Sequence, residues 1–405
     1  MQTNRLSILK IIKIALVHIG VGILIVIISS FLNSEMKFNN WRSDQISFYL
    51  GLPIIFEFIR LIFSHYYDSK NIIRPSLIFA LLISSIGIFS MQFYILPVAN
   101  IGLLISVGLF YMGSSILTTL VDGNLTKISV QGDRGRIAAV IQVFRLSGFA
   151  LGGIVGSILY PEIEFGDFLN LFLIIYITIG LISVLSIEKS ENDYTYNADF
   201  RSNLKNLFIL LKENNLPKLM TIFLMVYPIG LYMQDLIFEP FVIDVFDFDK
   251  NNVGSVVTLW TSLTLIFTPL GIIIGKKTKI IIPIFFGSSF ATIGLILFII
   301  SSMINSISIL YGGLILFGIG NGIASGPAIE LMLEVCGSYR NLVTVLLGFF
   351  GLMTTLGRFL AAILGALILA ITSNNYQFLF LIEALFIFVG YIPLYFVIRI
   401  FEKKN

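Results

Sequence analysis

Charge is what this chain of 405 residues has least of. Asp, Glu, Lys and Arg make up 12% of it, where a soluble domain carries about 25%. With 57% hydrophobic residues and so little charge, a water-soluble globular domain is excluded. The single cysteine, Cys336, excludes an internal disulfide. Only two histidines occur, His18 and His65, so no Cys/His metal cluster can be assembled. No nucleophile stands beside a plausible base, and no phosphate loop follows a strand. The expectation is a non-enzyme, with no metal and no nucleic-acid partner.

What is present is a succession of apolar stretches, each near the ~20 residues that a helix needs to cross a bilayer. Continuous apolar runs exclude a barrel, whose strands alternate. Twelve spans are predicted, at 11–32, 44–64, 75–94, 98–121, 136–160, 166–187, 218–243, 253–275, 280–303, 306–331, 342–371 and 376–400. The first is too long for a signal peptide core and has no small-residue cleavage site, so it reads as a retained span. An even number of spans puts both termini on one side. Of 26 Lys and Arg, 20 fall on that side, three opposite (Lys37, Arg42, Lys250) and three inside spans (Arg60, Arg145, Arg358). By the positive-inside rule both termini are cytoplasmic. Two connections are long, 33–43 and the central 188–217. The latter separates a six-span half, 1–187, from a second, 218–405. Within it Phe200, Leu204, Leu207, Phe208 and Leu211 recur at helical spacing among basic residues, as in a helix lying in the membrane interface.

The halves read as repeats. G-L-F-Y-M-G at Gly108–Gly113 returns as G-L-I-L-F-G at Gly313–Gly318, a shift of 205, and the basic loops with Arg134 and Arg340 differ by 206. Two parallel six-helix halves around a midplane cavity are the arrangement of major facilitator transporters. The predicted fold class is therefore an all-α membrane protein of twelve transmembrane helices in two halves.

Ionisable residues inside spans are expensive, about 2.5–3.5 kcal/mol on insertion scales, and mark function by default. Met233–Phe241 reads M-Q-D-L-I-F-E-P-F. On a helix Asp235 and Glu239 share a face, about 6 Å apart at Cβ. Depth counted along span seven puts Asp235 in the outer third and Glu239 almost at the surface. In span two, Glu57 and Arg60 are three apart and can pair. Arg145 and Arg358 need partners from other helices, for which Asp235, Glu239, Glu57 and Glu383 are the candidates. Glu330 and Glu334 read as an interfacial pair. Asp122, Asp133, Arg134, Arg136 and Arg340 read as a cytoplasmic latch. Gly318, Gly320 and Gly322, like Gly148, Gly152, Gly153 and Gly156, read as close helix packing.

Three places resemble the PucC/LhaA (bacteriochlorophyll delivery) branch of the major facilitator superfamily. Gln234-Asp235 with Glu239-Pro240 looks like that family's Q-D-x-x-x-E-P signature. Leu32-Asn33, Gly51-Leu52-Pro53, Arg60, Ser64 and Asp68 resemble its L-N turn, proline, arginine and S-D loop. Gly318-Ile319-Gly320-Asn321-Gly322 is similar to its G-x-G-N-G. Ser34 departs from it where a basic residue is expected, and the second-to-third loop lacks the motif of sugar and drug facilitators. The resemblance implies a membrane protein that handles chlorophyll or bacteriochlorophyll for light-harvesting or photosystem assembly, in a bacterial inner or photosynthetic (thylakoid) membrane. The pigment would be cargo, with no tightly bound cofactor. Partners would be lipid, the tetrapyrrole, and pigment-binding apoproteins or pigment-synthesis enzymes. It implies substrate-binding or gating roles for Gln234, Asp235, Glu239, Arg60 and Asn321, to which the charges within spans add Glu57, Arg145 and Arg358. His18 is then a candidate axial ligand for the pigment magnesium, or a histidine bonded to a neighbouring helix. Alternating-access transport and a non-transporting assembly factor both remain open. A third reading is a generic proton-coupled transporter of a small hydrophobic solute.

Overall fold

The computed structural model describes residues 8–63, 73–94, 100–128, 134–187, 200–339 and 342–404. Among them every regular element is helical. Eleven helices are long and apolar enough to cross a membrane: Ile11–Phe38, Ser43–Phe63, Ile73–Met91, Ile101–Leu125, Val140–Leu159, Phe165–Ser186, Lys250–Lys277, Ile281–Ile304, Ile307–Gly337, Val345–Ile371 and Tyr376–Ile400. The remaining crossing, seventh in order, is built of two helices, Asn215–Tyr232 and Phe238–Phe246. Twelve crossings in two six-helix halves result. The helix expected in the central connection forms as Phe200–Glu213, with Leu207 buried and Phe208 64% exposed.

Span one corrects the expected boundaries. It continues through Asn33 to Phe38, so the connection to span two shrinks to residues 39–42. Leu32-Asn33 is therefore helical and not a turn. The backbone widens into a π-helix over Ile27–Leu32, and side chains take up part of the slack. Asn33 Nδ2 donates to the Ser29 carbonyl at 3.1 Å, and Ser34 Oγ to the Ser30 carbonyl at 2.7 Å. The chain reverses at Asn40, whose φ of 63° belongs to the left-handed region that Asn tolerates.

Glycine contacts reveal the register of the duplication. Gly87 of span three lies against the backbone of Ser106 and Phe110, as Gly294 of span nine lies against that of Gly313 and Phe317. Gly113 meets Ala80 and Ser84, as Gly320 meets Gly287 and Ala291. Each residue and its counterpart (87 and 294, 113 and 320) stand 207 apart. The left-handed residues Asn40 and Asp247, at the first turn of each half, are 207 apart too. The offset of 205 suggested by the six-residue match is thus corrected. Gly108 packs on Phe56 of span two whereas Gly313 packs on span nine, so the matched strings do not occupy equivalent places. Spans one and seven keep an offset of 206 deeper in, where Gly148 meets Ile19 and Gly22 and Gly357 meets Met225 and Pro228.

The halves join through span two on span eleven and span five on span eight. Small residues permit both contacts. Gly51 meets Ala362, Gly254 meets Ser157, and Thr258 Oγ1 donates to the Gly153 carbonyl at 3.0 Å. Gly148, Gly152 and Gly156 seat span five on span one, and Gly318 and Gly322 seat span ten on span eight.

Candidate substrate and gating site between the halves

Span seven breaks at the stretch the sequence singles out. Pro228 removes one backbone donor and Pro240 another. Between them Gln234–Leu236 makes a single tight turn, and Ile237 leaves helical geometry. A break inside a membrane leaves backbone groups that must find partners. Glu383 of span twelve supplies one, its Oε1 accepting from the Gln234 N–H at 3.3 Å. Gln234 Nε2 donates to Asp235 Oδ1 at 3.2 Å.

The break separates the two acids. Asp235 lies in the turn and Glu239 opens the second helix, so they do not stand on one continuous helical face. Glu239 is 2% exposed and Asp235 is half-buried. Glu239 Oε2 accepts from Asn33 Nδ2 of span one at 3.2 Å. Both acids still line one cavity, with Gln234, Trp260 and four apolar side chains including Phe298 and Phe317. Its volume of about 20 Å³ holds about one water molecule, so in this conformation the site is shut to any larger solute.

A second cluster joins spans two and eleven. Leu52–Ile59 is wound as a tight 3-10 segment with Pro53 in its first turn, which carries Glu57 towards span eleven. Glu57 Oε2 pairs with Arg60 and accepts from Thr355 Oγ1 at 2.6 Å. Arg60 Nη2 donates to Thr355 Oγ1 at 2.6 Å, and Arg358 Nη1 reaches Glu57 Oε1 at 3.5 Å. Of the acids expected as partners for Arg358, the structure selects Glu57. The Arg358 guanidinium also lies 5.7 Å from the Tyr232 ring centre. Arg60 lies within electrostatic range of both Arg358 and Arg145.

The sequence reading missed a third cluster, at the end of the bundle opposite the termini. Lys37 Nζ stands 2.7 Å from Asp244, which also accepts from Tyr376 at 2.6 Å and Ser43 at 3.3 Å. Lys250 Nζ stands 2.8 Å from Glu35 and 4.5 Å from the Tyr160 ring centre, and Tyr160 donates to the same Glu35 oxygen at 2.8 Å. Burial first, and then the Glu35 charge, hold the Tyr160 hydroxyl above its ordinary range, so it stays a donor. The signal was in the sequence. Only Lys37, Arg42 and Lys250 are basic on that side, and two of the three bridge the halves while Arg42 pairs locally with Asp44.

Other expected residues are placed differently. His18 is fully buried with Nε2 2.9 Å from Asp122 Oδ1. The enclosed ring leaves no face for a macrocycle, which corrects its candidacy as a magnesium ligand in this conformation. Asp122 thereby engages span one. Asn321 is buried in span ten against its glycine neighbours. Arg134 and Arg136 open the helix that becomes span five. Asp133 and Arg340, with Ser64, His65 and Asp68, lie outside the described residues.

A family model described as PUCC protein matches residues 46–401. The chain belongs to that family. Solved transporters share the PUCC chain's fold at low identity. The nucleoside transporter NupG has 12% identity and a TM-score of 0.70, over 96% of this chain and 99% of its own. The human organic anion transporter MFSD10 (TETRAN) has 13% and 0.65, over 97% and 100%. The xylose transporter XylE from E. coli, in a partially occluded inward-open conformation, has 12% and 0.71, over 95% and 96%. At these identities the likeness shows the fold alone, the major facilitator fold. No curated protein matches the sequence significantly.

Proposed function

We propose that this protein handles a tetrapyrrole pigment, chlorophyll or bacteriochlorophyll, during assembly of light-harvesting or photosystem complexes. The observation that carries this reading is the PUCC match over residues 46–401, which spans both halves and includes the Gln234-to-Pro240 stretch. In this reading residues 1–187 and 218–405 rock about a site near the break in span seven, with 188–217 as the linker and both termini cytoplasmic. Gln234, Asp235 and Glu239 form the pocket wall. Glu57, Arg60 and Arg358 form an inter-half gate, and the Lys37–Asp244 and Lys250–Glu35 pairs close the outer end. The water-sized cavity represents the shut state of the cycle.

The test is purification from a pigmented host, asking whether pigment co-elutes and whether D235N and E239Q abolish it. Pigment retained by the native protein and lost in the variants supports the reading. Absence of pigment, together with uptake of another solute driven by a pH gradient, overturns it in favour of a generic proton-coupled transporter. Flux of pigment in sealed vesicles selects carrier over assembly factor. Binding of a pigment apoprotein without flux selects the reverse.

A further inference from the structure

The arginines of the spans are unequally provided for. Arg60 is held by Glu57 and Thr355, and Arg358 shares that carboxylate while lying over Tyr232. Arg145, midway along the helix Arg134–Leu159, is half-buried and makes no hydrogen bond or ion pair among the described residues. It lies within electrostatic range of Arg60 and of Tyr232. The acids of the same region are already engaged: Glu57 as described, Asp122 with His18, and Asp235 with Gln234.

A guanidinium in the middle of a span with no counter-charge among the described residues is unusual, and ionisable groups so placed mark function by default. A merely structural arginine here would be satisfied as Arg60 is. Guanidinium groups suit planar two-oxygen anions, to which they donate a pair of parallel hydrogen bonds. Tyr232 lies within electrostatic range of both Arg145 and Arg358, and its ring centre is 5.7 Å from the Arg358 guanidinium, so an aromatic ring stands beside the two arginines.

We infer that the cargo carries a free carboxylate and that Arg145 receives that group, with Arg358 close to the same Tyr232. The cargo class is then a planar apolar acid, which narrows the pigment of the reading above from the tail ester, chlorophyll or bacteriochlorophyll itself, to the same macrocycle with an unesterified propionate. For the macrocycle this rests on the pigment reading above, and for the acid it rests on the arginines alone.

The experiment titrates the purified full-length protein with chlorophyllide a, its methyl ester and chlorophyll a, and separately with 1-pyrenebutyric acid and its methyl ester. The native protein should bind the tetrapyrrole acid about tenfold or more tighter than its esters. R145Q should erase that preference and R145K should keep part of it. Unliganded R145Q should melt no lower than the native protein, since the removed charge has no partner to abandon. Equal affinity of the native protein for acid and ester overturns the inference and leaves the pigment reading standing, and this comparison needs no variant. An undiminished acid preference in R145Q overturns it as well. If no tetrapyrrole binds but pyrenebutyric acid is preferred over its ester, the acid site stands and the pigment reading falls.

Discussion

Asn33 and Glu239, hydrogen-bonded at 3.2 Å, stand 206 residues apart, the offset that relates span one to span seven. They are counterparts in the duplication, meeting where the two halves face each other. Lys37 and Asp244, ion-paired at 2.7 Å, are 207 apart, the offset of the turns that follow. Identical residues at such places would set donor against donor or charge against like charge. Divergence into Asn and Glu, and into Lys and Asp, makes each contact complementary. The departures from α geometry correspond as well: the π-helix Ile27–Leu32 lies opposite the broken stretch Met233–Phe238 by the same 206.

If Asn33 and Glu239 act on each other, N33A and E239A should each lower the melting temperature, and N33A/E239A should lower it by less than their sum. The coupling expected of one buried hydrogen bond is about 0.5–1.5 kcal/mol. Additive losses, measured by thermal unfolding in detergent, would show the contact to be incidental.

The ion pairs at the end opposite the termini should hold the halves together there. With Cys336 replaced by serine, spin labels at Asn40 and Asp247 report the separation. K37A/K250A should populate longer distances than the native protein, D244K should do the same, and the swapped pair K37D/D244K should recover the short distance. High salt should weaken the latch in the native protein, because Lys250 is partly exposed. An unchanged distance distribution in K37A/K250A contradicts the latch.

Removal of Glu57 strips two arginines of their shared carboxylate. E57A should destabilise the protein by about 3–5 kcal/mol, the loss typical of breaking a buried pair from one side. E57A/R60A should be less damaged than E57A, because one of the orphaned charges goes with it. Thermal unfolding decides between that order and its reverse.

The register of 207 makes a paired prediction about glycines. A Cβ on Gly87 would stand 2.6 Å from backbone atoms of Ser106 and Phe110, and one on Gly294 2.7 and 2.8 Å from those of Gly313 and Phe317. G87A and G294A should therefore both reduce the yield of folded protein. G312A should not, because the nearest atom to its Cβ would lie 4.0 Å away. Size-exclusion profiles of the three variants test this directly.

Much of the fold was legible because membrane insertion is governed by local sums. An apolar run of the right length crosses, whatever it later touches, so eleven spans and the place of the seventh follow from hydropathy. The Gln234-to-Pro240 motif and the pairing of Glu57 with Arg60 are local too, a few residues apart in the chain. What lay beyond reach depends on residues far apart in sequence. Arg358 finds Glu57 across 301 positions, and Glu383 serves the backbone of Gln234 across 149. Span seven reads as one span because its composition is apolar on average, despite Gln234, Asp235 and Glu239. It divides because its prolines remove backbone donors while a carboxylate from span twelve stands ready to bind Gln234 N–H. That division turns Glu239 inward to Asn33. By itself the sequence determined that this chain lives in a membrane as two repeated halves. Only the packed structure decided which charges meet, because ion pairs depend on three-dimensional proximity, which a one-dimensional pattern of apolar runs does not encode.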